Sequence, residues 1–287
     1  MRFETPSTVQ EAVKLLNDSS GITRILAGGT DVLVQLRLKL VEPELIVDIK
    51  HIDAMRDITA EDGGFRIGAA VSGAEMGEHA DLVALWPGVV EAMELVGSTQ
   101  VQGRATLAGN LCNASPAADS VPAMVAANAV ATIVGPNGTR ECPVVEIPVG
   151  PSKTSLGKGE IITSIYLPTR PENSGDAYLR FIPRTEMDIA VSSAGVNLTI
   201  DSDGVVTQAR VALGAVAPTV VVVDDAAKAI IGTKLDDDAV NALQAACSAA
   251  CSPIDDKRGT VEFRTKTAGV MAKRAALIAY SRAGGSK

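Results

Sequence analysis

Histidine is almost missing from this chain: 287 residues hold two, His51 and His79. Neither has cysteine or glutamate neighbours at the spacing of a zinc or metalloprotease motif, which argues against metal-assisted hydrolysis. Aromatic residues are also scarce, 3% of the chain with a single Trp, so rings to stack a row of exposed bases are lacking. Positive charge is in deficit. Twenty-six Lys and Arg face 34 Asp and Glu for a net charge of −8, and such a chain gains little from the counterion release that drives binding to nucleic acid. The four cysteines, Cys112, Cys142, Cys247 and Cys251, are too few and too scattered for a secreted disulfide scaffold, which points to a reducing, cytoplasmic setting. Cys247 and Cys251 stand four apart on an expected helix, where small buried thiols serve packing and two ligands make no metal site. An export signal is not visible, because charge and Pro6 interrupt the N-terminal stretch. The longest apolar runs, residues 121–134 and 211–223, are shorter than the roughly 20 residues of a spanning helix, so no membrane span is expected. Finally, there is no Gly-x-Ser-x-Gly elbow, no complete Walker A sequence and no Gly-x-Gly-x-x-Gly at a strand end, and the common hydrolase and nucleotide folds lose their support.

What is present is an ordinary globular mixture, 46% apolar and 21% charged, with length for two domains of roughly 150 residues. Apolar spacing predicts a helix over 8–16 and a strand over 22–27 that ends on two glycines. A helix over 31–40, with Asp31 as a capping candidate, and a strand over 45–49 follow. Strand, glycine loop, helix and strand within about 30 residues is the length of a parallel crossover. Further on come a strand at 65–71, helices at 74–80 and 89–96, and a stretch at 103–119 of small residues with no clear period, read as a functional loop. Strands 130–134 and 144–147 flank a turn at 135–138, and 161–167 forms one more strand. Residues 169–175 (Thr-Arg-Pro-Glu-Asn-Ser-Gly) read as a linker. The chain is therefore divided into residues 1–174, themselves two α/β subdomains split near 55–60, and residues 175–287. The second part reads as strands 178–183, 189–200, 205–213 and 219–223, then helices 226–231, 238–250 and 265–282. The whole is an α+β protein whose C-terminal part is an antiparallel sheet plus helices.

Two glycine segments carry the chemistry. The first is Leu26-Ala27-Gly28-Gly29-Thr30-Asp31-Val32, between strand and helix, where absent side chains let backbone N–H groups approach an anion such as a pyrophosphate. The same residues also read as a plain Gly-Gly turn. The second is Thr106-Leu107-Ala108-Gly109-Asn110, continuing through Asn113 and Ser115 to Asp119, with hydrogen-bonding groups set among small side chains. It also reads as an ordinary capped turn.

Together these segments resemble the FAD-binding subunit of the molybdenum hydroxylases, the xanthine dehydrogenase and carbon monoxide dehydrogenase group. That family carries an Ala-Gly-Gly-Thr-Asp-like loop and, roughly 75–80 residues later, a Thr-(Leu or Ile)-Gly-Gly-(Asn or Asp) loop running into Asn-Ala-Ser-Pro-x-x-Asp. The resemblance continues at 159–165 and 180–190. Ala108 departs from it, standing where the family has the first glycine of the second loop. The resemblance implies the two-domain FAD-binding fold of the vanillyl-alcohol-oxidase and CO-dehydrogenase flavoprotein type. It implies that residues 26–32 and 106–110, with Ser115, clasp the cofactor around its pyrophosphate and ribityl region, and that Asp119 reaches one of its polar groups. Ile162 and Arg180 would sit near the isoalloxazine. The implied role is electron transfer, with a small subunit carrying 2Fe-2S clusters and a large molybdopterin subunit as partners, in a dimer of heterotrimers. Two other readings stay open: a stand-alone FAD-dependent oxidoreductase, and a nucleotide-binding module without redox turnover.

Overall fold

The computed structural model describes residues 1–285. It opens with β1 (Arg2–Glu4), α1 (Val9–Asp18), β2 (Thr23–Leu26), α2 (Val32–Arg37) and β3 (Leu45–Asp48). The three strands form a parallel sheet in the order β1-β3-β2. Its central strand reads Leu-Ile-Val-Asp and is buried at all four positions, as a parallel strand covered on both faces requires. Thr8 starts α1 by accepting a hydrogen bond from the Glu11 N–H at 3.2 Å, and Ala12, Val13 and Leu16 form its buried face. The helix expected over 31–40 is shorter, and none of its residues is buried. Asp31 stands at its cap position but makes no side-chain cap bond. Its backbone is already helical there (φ −98°, ψ −48°), whereas a capping side chain reaches back over the first turn from an extended one.

The second sheet comprises β4 (Ile58–Glu61), β5 (Gly64–Gly68), β6 (Val130–Gly135), β7 (Gly138–Pro143) and, after the small ribbon β8 (Pro148–Gly150) and β9 (Lys153–Thr154), β10 (Ile161–Leu167). Its order is β4-β5-β10-β6-β7, antiparallel throughout. Between β5 and β6 run six short helices: α3 (Gly73–Glu78), α4 (Ala80–Leu85), α5 (Pro87–Glu94), α6 (Thr99–Gln102), α7 (Leu107–Cys112) and α8 (Ser120–Ala126). Two expectations need correction. The hairpin partner of β6 is β7, not 144–147, which is a single 3-10 turn. β7 is mostly exposed and carries Arg140 and Glu141, the charged dress of an edge strand, which hides it from an apolar-pattern search. The supposed loop at 103–119 contains α7, started by Thr106, whose hydroxyl accepts from the Gly109 N–H at 2.9 Å. Its Gly and Asn leave no apolar period to read.

The rest of the chain is a four-stranded antiparallel sheet, β11 (Ser174–Phe181), β12 (Ser192–Ile200), β13 (Val206–Gly214) and β14 (Val221–Val222), followed by α9 (Asp224–Ile230), α10 (Asp237–Ala249) and α11 (Val261–Arg282). One face lies on α11, whose Ala268, Ala272, Ala275, Ala276 and Ala279 are fully buried; the small side chains allow close helix–sheet approach. The other face meets the earlier part of the chain. Along β11, Ala177 belongs to the core around α11 while its neighbour Tyr178 belongs to the core around the helices α3–α8, the two-residue period of a strand shared between two cores. Arg210 adds a tie, its Nε donating to the Val125 carbonyl of α8 at 2.8 Å. Among the described residues, no helix is long and apolar enough to cross a membrane.

Candidate functional site: a glycine-walled cleft

Between the first two sheets lies a cleft of about 860 Å³, near the top of the roughly 300–1,000 Å³ range of small-molecule sites. Both glycine segments line it. They meet because Gly28 has no side chain: a Cβ there would fall 1.8 Å from the carbonyl oxygen of Arg104, just before the second segment. The missing side chain therefore makes room for neighbouring backbone. Gly29 follows with φ +79°, a left-handed conformation open to glycine at little expense. The turn leaves donors unused. Leu33 and Gln35 donate their N–H groups to the carbonyls of Gly29 and Asp31, but among the described residues the N–H groups of residues 28–32 meet no acceptor in the chain.

Eleven of the sixteen expected site residues line this cleft: Ala27, Gly28, Gly29, Thr30, Asp31, Val32, Thr106, Ala108, Gly109, Asn110 and Ile162. The methyl group of Ala108 is accommodated, the residue being largely buried and part of the hydrophobic core. The other five lie off the wall. Leu26 and Leu107 are core side chains. Ser115 is spent locally, its Oγ accepting from the Ala117 N–H at 3.2 Å. Asp119 and Arg180 are brought together, but onto each other: Arg180 Nη1 donates to Asp119 Oδ2 at 2.6 Å, and the Tyr178 hydroxyl to Asp119 Oδ1 at 2.8 Å. Burial raises the Asp119 pKa, opposed by the charge of Arg180. Burial also pushes the Tyr178 hydroxyl well above its usual range.

The cleft's third wall runs through Ser152, Thr154, Leu156, Gly157, Lys158, Gly159 and Glu160; the resemblance reaches Gly159 and Glu160, but sequence reasoning missed the wall at 152–158 and also Arg24 on β2. The Gly157-Lys158-Gly159 triplet was the available signal. Glu160 is held as an anion: Arg140 reaches both its oxygens at 2.8 Å, the Gly157 N–H donates to it at 2.7 Å, and its pKa falls to about 2. Cys112 also lines the cleft, but burial pushes its thiol to about 12, which keeps it protonated and unreactive. No group of three or more His, Cys, Asp or Glu suited to a metal exists among the described residues.

The donor set fits FAD. Unused backbone N–H groups and the cations Arg24 and Lys158 suit a pyrophosphate, and the aliphatic Ile25, Ile49, Leu156 and Ile162 on the same walls suit flat ring systems at its ends. Residues 1–170 match the family model described as the FAD binding domain in molybdopterin dehydrogenase. The chain belongs to the FAD-binding medium subunits of the molybdenum hydroxylase family. Residues 177–279 of this medium subunit match the CO dehydrogenase flavoprotein C-terminal domain. It is 31% identical over 283 residues to the carbon monoxide dehydrogenase medium chain of Hydrogenophaga pseudoflava, covering 98% of each. Identity to the putative xanthine dehydrogenase FAD-binding subunit of Escherichia coli is 30%, over 99% of this chain and 97% of that protein. Among solved structures, the Hydrogenophaga pseudoflava carbon monoxide dehydrogenase lacking the Mo-pyranopterin moiety gives a TM-score of 0.94 at 32% identity, over 98% of both chains. The reconstituted CO dehydrogenase from Oligotropha carboxidovorans gives 0.93 at 31%, also over 98% of both. The fold is thus the α+β two-domain fold of these flavoproteins, FAD is the cofactor, and the medium subunit is the flavoprotein part of a molybdopterin-dependent oxidoreductase.

Proposed function

We propose that this chain is the electron-transfer subunit of a heteromeric molybdenum hydroxylase, standing between the 2Fe-2S clusters of a small partner and an external acceptor, while a large molybdopterin subunit oxidises the organic substrate. The observation that carries the reading is the convergence of the two glycine segments on one cleft. When bound, the flavin supplies one- and two-electron redox chemistry. The chain's own residues bind and orient. The N–H groups of residues 28–32 would hold the pyrophosphate together with Thr106, Ala108, Gly109 and Asn110 on the same cleft, and Ile162 would supply an aliphatic face for the ring. Asp119 and Arg180 act from behind that wall, tying residues 175–287 to residues 1–174, the two domains of the reading. We further propose a dimer of heterotrimers working in the cytoplasm, where the four free cysteines stay reduced.

The test uses the purified chain. Reconstituted with FAD it should show flavin bands near about 370 and 450 nm, yet oxidise no small organic donor until its iron–sulfur and molybdopterin partners are added. Turnover of such a donor by the chain alone would establish a stand-alone oxidoreductase instead, and a colourless preparation that takes up no FAD would leave a non-redox module.

A further inference from the structure

The deeper inference concerns Asn110, which lines the cleft, and Ser120, which is fully buried and does not line it. Ser120 gives Asn110 two hydrogen bonds: its backbone N–H lies 3.2 Å and its Oγ 2.7 Å from Asn110 Oδ1. An amide N–H can only donate, so the Asn110 atom facing it is an oxygen and not the NH₂ group. The oxygen end of the amide is therefore satisfied within the chain. The NH₂ end, with its two donors, has no partner among the described residues. An amide with one end saturated from behind, on the wall of a cleft, offers its other end to whatever lies there. The position of Ser120 is itself secured, since it follows Asp119, the residue gripped by Arg180 and Tyr178 from β11.

We propose that Ser120 is a positioning residue for the flavin site: it turns Asn110 so that the amide presents NH₂ donors, and not its carbonyl, to an acceptor oxygen of the cofactor. The inference rests on the reading of the cleft as the FAD site. Ser120→Ala keeps the backbone N–H that faces the amide oxygen at 3.2 Å but removes the shorter hydroxyl bond at 2.7 Å. The amide is then held more loosely, and its NH₂ donors are aimed less firmly at the cofactor oxygen. The role is distinct from packing, because it acts only through Asn110.

A double-mutant cycle on the full chain tests this, reading the FAD dissociation constant by flavin fluorescence and the fold by thermal unfolding of the apo chain. Ser120→Ala should weaken FAD binding about tenfold, the size of one charge-assisted hydrogen bond lost from its proper aim. In an Asn110→Ala background the same change should have no further effect, because the group Ser120 acts on is gone. Asn110→Asp keeps the acceptor that Ser120 binds but removes the donors, and should lose more affinity than Ser120→Ala while unfolding as the wild type does. An unchanged dissociation constant in Ser120→Ala overturns the proposal. So does a tenfold effect that persists without Asn110, or wild-type binding by Asn110→Asp. Failure of the wild-type chain to take up FAD overturns the flavin reading itself, a separate outcome from these.

Discussion

The two glycine segments look alike on paper and behave differently in space. The first is a loop whose glycines are demanded by backbone geometry: Gly28 lies flat against the Arg104 carbonyl, Gly29 is left-handed, and the helix that follows buries none of its side chains. The second is the start of a helix. Thr106 caps it, Leu107, Ala108 and Leu111 are buried, and beyond its own helix backbone and chain neighbours an added Cβ on Gly109 would meet only the Thr106 Oγ1, at 2.9 Å. One wall of the cleft thus depends on glycine for its shape, and the other on capping and core packing. A family motif with glycines in both places does not tell these roles apart, and Ala108 shows the second wall accepting a methyl group.

Substitutions sharpen this contrast, and the largest effect should come at Gly28. Gly28→Ala drives a Cβ into the Arg104 backbone, which no rotamer change relieves. A loss of about 3 kcal/mol is expected, seen as a lower urea midpoint, together with loss of flavin absorbance; wild-type stability would show that the two segments do not touch as described. Arg180→Met, behind the second wall, ranks close to it. It strands the buried Asp119 carboxylate without a counter-charge, for about 3 kcal/mol at pH 8. The pH dependence has a definite sign. Burial already raises the Asp119 pKa, and removing the cation raises it further, so the folded state holds the proton more tightly than the unfolded one. The deficit should therefore shrink as pH falls from 8 toward 5, and a deficit that grows over that range would contradict the buried pair. Gly29→Ala should follow at about 1–2 kcal/mol for a left-handed Ala, with partial retention of FAD. Gly109→Ala should do least, within about 0.5 kcal/mol, because the gain in helix propensity offsets crowding of the Thr106 hydroxyl. If Gly109→Ala proved as damaging as Gly28→Ala, the distinction between the two walls would collapse.

Much of the fold was readable in advance because its signals are local. The helix expected over 8–16 is α1 at Val9–Asp18, and the apolar run of β10 lies at the residues expected of it, whereas α7, begun by Thr106, was hidden in a stretch read as loop. The hairpin partner of β6 was misplaced, because an edge strand advertises itself by charge and not by apolar alternation. At the site, both glycine segments and the stretch from Gly159 were visible, while the wall at 152–158 was not: its residues are individually unremarkable and gain meaning only by lying across from the others. The fate of Asp119 and Arg180 was half visible. Their types marked them as polar groups of interest, but not as partners of each other.

By itself, then, the amino-acid order determined the local pieces: caps, turns, the two glycine segments and the family motif they spell. Backbone preferences and hydrogen bonds within three or four residues settle those pieces. Only the tertiary structure decided which glycine is pressed against a carbonyl, which carboxylate meets which guanidinium, and which serine turns the asparagine of the cleft. Those contacts join atoms ten to eighty residues apart, and their partners are chosen by how buried surfaces pack and by the need of every buried polar group for a mate.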